Sequence, residues 1–275
     1  MKKIGSSETI RKTTFNFHNY KNNLSSHIKK INVFFLEWFI GFMEGDGSFI
    51  VSKNRLFFII NQKEEKILHY IRTNLGFGKV SIYKTYSRLI VADKGNIDKL
   101  ISIFNGNLVL DKTNSRFILW LQARNLYSTD RIEYLHKNKM ETFKNNGWLS
   151  GFIDAEGCFN VVRSIDSRYS LGFRVRLRFI IDQKNEISIF YKLQNFLQSG
   201  VINERKNIDT MYRFSCTSIH THEKLIEYLD KYPLRSLKKV NFIRYASLLR
   251  YIKNRKILPW KGKVLQKVEK LIKNI

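Results

Sequence analysis

Apolar residues follow two patterns along this chain. Residues 33–43 and 148–153 are nearly continuous apolar runs, with Glu37 the one charge inside them and small residues at Gly41, Gly45, Ser150, Gly151 and Ala155 in or just beyond them. Each run predicts a helix that is apolar on all sides, hence buried, and that ends at a glycine, where a left-handed stop is easiest. The small residues permit close backbone approach, so the two helices are expected to pack against each other. Beyond each run, apolar and polar residues alternate. A period of two predicts strands over residues 48–52, 55–62, 79–86 and 88–93, then 158–164, 170–182, 201–206 and 211–217. Spacing near 3.6 predicts helices over 63–75 and 184–196, with further helices at the end of each half. The pattern is that of an α+β protein with two sheets.

The elements recur because the sequence does. Trp38-Phe39-Ile40-Gly41-Phe42-Met43-Glu44-Gly45-Asp46-Gly47-Ser48-Phe49 returns as Trp148-Leu149-Ser150-Gly151-Phe152-Ile153-Asp154-Ala155-Glu156-Gly157-Cys158-Phe159. Trp, Gly, Phe, two acids, Gly and Phe match at a constant offset of 110 residues. Further on, Ile60-Asn61-Gln62-Lys63-Glu64-Glu65 returns as Ile181-Asp182-Gln183-Lys184-Asn185-Glu186 at an offset of 121, so the second copy is longer in between. A weaker echo joins residues 108–117 with 234–243. Two copies exclude a solenoid, which needs at least three repeats to bury its faces. The chain reads as a tandem duplication with pseudo-twofold symmetry: a basic N-terminal extension over 1–30, read as a disordered arm or a transit-type segment, a first half over 31–137, a linker over 138–147 and a second half over 148–275.

Composition narrows the partner. The 275 residues carry 49 Lys and Arg against 23 Asp and Glu, a net +26, while 43% are hydrophobic and 14% aromatic. That apolar content excludes a disordered basic tail. A well-packed protein under such self-repulsion is expected to meet a polyanion, nucleic acid ahead of a membrane surface. Neither apolar run is long enough to cross a bilayer. Cys158 and Cys216 lie far apart, in no metal-ligand spacing, and are expected to be reduced in a non-secreted compartment. Richness in Lys, Asn, Ile, Phe and Tyr points to an AT-rich, organelle-like gene.

The strand over 171–181 concentrates that charge. Phe173, Val175, Leu177 and Phe179 alternate with Arg174, Arg176 and Arg178, so three guanidinium groups are expected on one sheet face. Their repulsion calls for an anion across them, and Arg reads guanine edges in the major groove bidentately. Lys53, Arg55, Lys79 and Lys84 in the first half extend this surface, as do Arg163, Arg168, Arg205, Lys206 and Arg213 in the second.

Asp46 and Glu156 precede the terminating glycines of the two apolar helices. If those helices pack side by side, two carboxylates meet at helix C-terminal ends, where the dipole already places negative charge. A hard divalent cation with oxygen ligands would resolve the conflict, and beside a nucleic-acid surface it points to phosphodiester hydrolysis. The preceding acids, Glu44 and Asp154, are expected at the surface, solvated or in salt bridges. The histidines show no metal-nuclease pattern, and His220 and His222 are expected as caps or surface residues. Gly76-Phe77-Gly78 fits a turn and not a phosphate-binding loop.

These segments resemble the signature of LAGLIDADG homing endonucleases, in the single-chain form with two motifs. The dodecapeptides, the Gln-Lys elements and Pro233-Leu234-Arg235-Ser236-Leu237-Lys238-Lys239 fall in the family's order, over residues 33–255. The resemblance implies two pseudo-symmetric halves, each a curved antiparallel sheet with helices, joined by packed motif helices and straddling duplex DNA. It implies Mg²⁺-dependent (or Mn²⁺-dependent) double-strand cleavage at a long asymmetric target, leaving short 3′ overhangs and promoting intron mobility. Asp46 and Glu156 match the motif's metal-binding acids, and Gly45 and Ala155 match positions whose carbonyls face the metals. Gln62 and Gln183 match glutamines that position water or line the active site, or else are polar residues of the DNA-facing strand. Lys238 matches the pocket lysine near the scissile phosphate, in a register that leaves Lys239 as the alternative, and Lys112 is its nearest counterpart in the first half. A single chain with both motifs is expected to act as a monomer. An intron RNA maturase acting on its own intron, and a non-cleaving DNA-binding protein of the same fold, are the competing functions. Retention of both acids favours cleavage.

Overall fold

The computed structural model describes residues 14–24, 32–169, 171–206 and 208–275. Among them the two apolar runs form α2 (Val33–Asp46) and α6 (Trp148–Glu156). After α2, strands β1 (Gly47–Ser52), β2 (Arg55–Gln62), β3 (Lys79–Ile82) and β4 (Ser87–Val91) form an antiparallel sheet in the order β1-β2-β4-β3. After α6, strands β5 (Gly157–Ile165), β6 (Phe173–Lys184), β7 (Val201–Glu204) and β8 (Met211–Cys216) repeat that order as β5-β6-β8-β7. Helices α3 (Glu65–Leu75), α4 (Lys94–Phe104) and α5 (Asp111–Leu126) belong to the first half, and α7 (Ile187–Leu197), α8 (Ile219–Lys231), α9 (Lys238–Lys253) and α10 (Gly262–Asn274) to the second. The α+β reading with two sheets and two similar halves is borne out.

The two apolar helices pack on each other through their small residues. A Cβ added at Gly41 would stand 1.9 Å from the Trp148 carbonyl oxygen, and one at Gly151 would stand 1.8 Å from that of Trp38. At Gly45 it would meet the Ala155 Cβ at 2.4 Å. No side chain fits between backbones this close. The glycines that end the helices act differently from the expectation. Gly47 and Gly157 are extended, with φ of −84° and −71°, not left-handed. Each is small because the preceding turn crowds it: an added Cβ would lie 2.5 Å from Met43 Cγ, or 2.7 Å from Ile153 Cγ2.

Glu44 and Asp154 are buried, contrary to the surface placement expected from the sequence. Glu44 accepts hydrogen bonds from the Trp148 indole at 2.5 Å and from the backbone N–H groups of Val109 and Leu110 at 2.9 and 2.7 Å. Asp154 accepts from the Trp38 indole at 2.8 Å, from the N–H of Arg235 and Ser236 at 2.7 and 3.2 Å, and from the Ser236 hydroxyl. Each tryptophan therefore crosses to the other half's acid, and each acid holds the loop that starts α5 or α9. The corners after β2 and β6 cross over too. Glu64 accepts from the Leu237 N–H at 2.7 Å and Glu186 from the Lys112 N–H at 2.6 Å, placing anions at the N-termini of α9 and α5, where the helix dipole favours them.

One face of each sheet carries the core. Phe49 and Phe58 meet Phe104, Phe117 and Trp120 in the first half, and Phe159 meets Phe179, Phe242 and Tyr245 in the second. His222 is buried in this layer, against expectation, between the Leu177 carbonyl at 3.2 Å and the Tyr245 hydroxyl at 3.1 Å. Burial pushes its pKa down to about 4, so the ring is neutral.

Other boundaries differ from the sequence reading. The strand expected over 79–86 ends earlier, at Ile82, because Tyr83–Tyr86 closes a turn with a 2.8 Å hydrogen bond, and the one expected over 88–93 ends at Val91, because Asp93 already caps α4. The connection between the halves is longer than 138–147, since α5 ends at Leu126 and α6 starts at Trp148. Of the N-terminal extension, residues 14–24 are packed, not free. Phe15, Phe17 and Tyr20 are buried, α1 (His18–Asn22) starts there, and Asn16 exchanges backbone hydrogen bonds with the Asn107 side chain at 2.8 and 2.7 Å. Residues 1–13 and 25–31, which hold the rest of that extension, lie outside the described residues.

Candidate active site and nucleic-acid face

Helix packing decides where the acids go. With Gly45 against Ala155, the last residues of α2 and α6 come together. An added Cβ at Gly45 would lie 3.5 Å from a Glu156 carboxylate oxygen. Burial first, and then the charge of Glu156, pushes Asp46 up to about 6. Lys238 and a 2.5 Å hydrogen bond from the Gln62 amide pull it back. Glu156 is likewise raised, mainly by burial, and is held down by the Gln183 amide, Lys112 and Lys238. Each glutamine thus fixes the acid of its own half from the end of β2 or β6.

Lys238, not Lys239, enters the site. It is the first residue of α9, and its ammonium reaches the carbonyl oxygens of Ala155 at 2.7 Å and Ile153 at 3.3 Å, whereas Lys239 is exposed. Burial lowers its pKa, against the opposing pull of Asp154, Asp46 and Glu156. The backbone amides held by Glu44 and Asp154 fix the register of the weak repeat: Val109 and Leu110 match Arg235 and Ser236, an offset of 126 that makes Lys112 the counterpart of Lys238.

The donor set suits a hard divalent cation. Two half-buried carboxylates are both raised, chiefly by burial and at Asp46 also by the charge of Glu156; their amide partners leave further lone pairs open, and the carbonyls of Ile153 and Ala155 lie in the same place. Among the described residues no third His, Cys, Asp or Glu joins the pair, so a cation here would complete its shell with carbonyls, water and substrate oxygens.

The sheet faces turned away from the core carry the basic residues. On β6, Arg174, Arg176 and Arg178 alternate with buried Phe173, Val175, Leu177 and Phe179, as the period of two required. Register places Ser164, Val162 and Asn160 of β5 opposite these arginines. Arg55 lies on the same face of β2 as Phe57, its guanidinium 5.4 Å from that ring, and Lys79 pairs with Ile90 at the β3 end of this face. Lys53 sits at the tip of the β1–β2 hairpin and Lys84 in the β3–β4 turn, both exposed.

Other expected residues are engaged differently. Arg163 pairs with Val175 and lies 3.9 Å over the Phe173 ring, so it belongs to the opposite face from Arg174, Arg176 and Arg178. The period of two separates it from them, because Ser164 and not Arg163 faces Arg174. Arg168 sits in the β5–β6 turn and is paired with Asp166. Arg213 and Arg205 both bind Asp182, Arg213 through 2.7 and 2.6 Å hydrogen bonds and Arg205 at 3.3 Å. Lys206 is exposed beyond β7.

Arg88 escaped the sequence reading. It faces Asn61 across the β2–β4 ladder as Arg213 faces Asp182 across β6–β8, and bonds it at 2.8 Å. The stacked rings of Tyr83 and Tyr86 hold its guanidinium at 5.6 and 5.5 Å. The Ile-Asn-Gln and Ile-Asp-Gln echo carried the signal, since it aligns Asn61 with Asp182, but the partner strand was needed to find the arginine.

Comparison with known proteins agrees with this geometry. The family model for the LAGLIDADG endonuclease matches residues 39–124 and again 149–249. A protein named probable intron-encoded endonuclease 4, from Neurospora crassa, is 36% identical over 228 residues, covering 80% of this chain and 40% of its own length. The chain therefore spans less than half of that relative. The probable intron-encoded endonuclease Cox1-I1b of Schizosaccharomyces pombe is 28% identical over 80% of this chain and 70% of its own, and the intron-encoded RNA maturase bI4 of Saccharomyces cerevisiae 27% over 83% and 39%. Among solved structures, the homing endonuclease I-LtrWI bound to target DNA superposes with a TM-score of 0.71 at 20% identity, covering 89% of this chain and 98% of that one. I-AabMI bound to uncleaved DNA gives 0.69 at 22%, over 87% and 98%. At such identities the structures speak for the fold, while the twice-matched family model speaks for descent. The chain belongs to the LAGLIDADG endonuclease family and carries both copies of its motif.

Proposed function

We propose that this chain is a site-specific double-strand DNA endonuclease that acts as a monomer, uses Mg²⁺ or Mn²⁺, and promotes the mobility of an intron. The observation that carries this reading is the meeting of Asp46 and Glu156 at the joined ends of two pseudo-symmetric helices, each acid fixed by its own glutamine and flanked by a lysine. Two equivalent acids about one pseudo-dyad suit two strands of opposite polarity.

Asp46 and Glu156, with the carbonyls of Gly45 and Ala155, would hold the cation. When bound, a divalent ion supplies charge stabilisation to the departing oxygen and makes an adjacent water more acidic. Gln62 and Gln183 orient the carboxylates and offer their remaining amide atoms to that water. Lys238, and Lys112 in the other half, place positive charge where the pentavalent phosphate gains negative charge, which fixed cations in a dry site stabilise strongly. Arg55, Lys79, Arg88 and Lys84 in the first half, and Arg174, Arg176, Arg178, Arg205 and Arg213 in the second, line the sheet faces that would contact phosphates and base edges, with Lys53 and Arg168 at the hairpin tips. Arg163 is left out of that set.

Retention of both acids, both glutamines and both lysines supports cleavage over a maturase-only or non-cleaving role. Relatives named as products of cox1 introns support an organellar origin. The test is cleavage of a large randomised duplex library with Mg²⁺ and with Ca²⁺. Recovery of one long asymmetric site, cut with Mg²⁺, is expected. Salt-sensitive binding without cutting in any divalent metal would overturn the enzyme reading.

A further inference from the structure

Half of the chain's excess charge lies in one C-terminal segment, which begins beside Lys238 of the candidate site and runs on past it. Residues 231–275 hold fourteen Lys and Arg against the single acid Glu269, a net +13 of the total +26. Most of this segment is α9, which packs on β5 and β6 of the second sheet, and α10, which packs on α9. Helix α9 turns Phe242, Tyr245, Leu248 and Leu249 inward. On its opposite side, Arg244, Ser247, Arg250 and Tyr251 line a cleft of about 640 Å³, whose other wall is Lys267, Lys270 and Leu271 of α10. No acid lines the cleft, and among the described residues none of its four cations forms an ion pair. Arg244 donates to the Asn274 carbonyl at 2.9 Å and Arg250 to the Ser247 hydroxyl at 3.2 Å, so two guanidinium groups are held in place along the rim.

We propose that this cleft is a second nucleic-acid site, for a single-stranded polynucleotide, separate from the duplex-binding sheet faces. Its floor includes Tyr251 and Leu271, which pack against the core, while Leu258 and the cations Arg250, Lys267 and Lys270 are exposed at its edge. An apolar, aromatic floor between basic rims takes unpaired bases inside and phosphates at the edges. A duplex hides its bases and would leave that floor empty. A membrane surface is the poorer occupant, because α10 already uses its apolar side in the core: Val268 is fully buried, and Val264, Leu265, Leu271 and Ile272 pack with it. The site stands on geometry independent of the proposed cleavage.

RNA and DNA single strands share this chemistry, and the experiment separates them. The full chain is titrated with fluorescein-labelled uridine and thymidine 12-mers and a 30-base-pair random duplex, over a range of salt. Wild type is compared with Lys267→Gln/Lys270→Gln and Arg250→Gln, with thermal midpoints checking the fold. We expect the single strand to bind while duplex is saturating. We expect the double variant to weaken single-strand binding at least tenfold and to flatten its log-salt slope by about 0.7 for each phosphate that is no longer neutralised, leaving duplex binding unchanged. The uridine strand binding more tightly than thymidine would assign the site to RNA, equal binding to either backbone. Displacement of single strand by duplex, unchanged affinity in the folded variants, or binding only to phosphatidylglycerol vesicles would each overturn it.

Discussion

At the scale of single residues, charge placement makes measurable demands. Asp46 stands at about 6 in the folded protein against an ordinary 3.8, so the fold binds its proton more tightly than the unfolded chain does. Stability is therefore lost as pH rises from about 4 to 6, by as much as about 3 kcal/mol. In EDTA at pH 7.5, Asp46→Asn should raise the melting temperature; by pH 3.5 the advantage should vanish, and added Mg²⁺ should stabilise only the parent. Asp182 makes a second demand. It neutralises Arg213 and Arg205 where the first half has Asn61 beside Arg88, so Asp182→Asn should free one positive charge on the sheet face proposed to meet the duplex. Random-duplex binding should tighten and its log-salt slope steepen by about 0.9; an unchanged slope would place this cluster outside the DNA face. That Asp46 and Glu156 would meet was legible in the sequence because they recur in register at the ends of two helices with small residues. The roles of Glu44 and Asp154 were not, because their tryptophan and amide partners lie in other elements more than sixty residues away.

At the scale of elements, the joint between α2 and α6 is a backbone-to-backbone contact, and its tolerance is set by size. Gly41→Ala would drive a Cβ into the Trp148 carbonyl and should cost about 3 kcal/mol or more in urea denaturation. Ser150 in the same joint has a buried hydroxyl without a hydrogen-bond partner among the described residues, so Ser150→Ala should be neutral or stabilise by about 1 kcal/mol. If Gly41→Ala were harmless, the helices would not pack as described. The small residues announced this joint in the sequence, and alternation announced the strands, including the arginine face of β6. What alternation alone could not give was pairing: Arg163 lands on the core side through its register with Val175, and Arg213 is tied to Asp182 by the β6–β8 ladder. Turn closure at Tyr83–Tyr86, likewise, depends on a hydrogen bond that periodicity does not reveal.

At the scale of the molecule, two similar halves are locked by reciprocal contacts: Trp38 to Asp154, Trp148 to Glu44, Glu64 to α9 and Glu186 to α5. The duplication and its symmetry were readable from the repeated dodecapeptide, and on the proposed reading the same locks would place one acid for each DNA strand. The most direct measurement is therefore strand-resolved. A duplex carrying the recovered target, labelled at each 5′ end, is incubated with Mg²⁺ and parent protein, Asp46→Asn, Glu156→Gln or the double variant, with binding followed in parallel. The parent should cut both strands; each variant should still bind but lose double-strand cleavage by at least about a thousandfold, as removal of a charge that organises the reacting phosphate requires. Cleavage of both strands by the double variant would contradict the account.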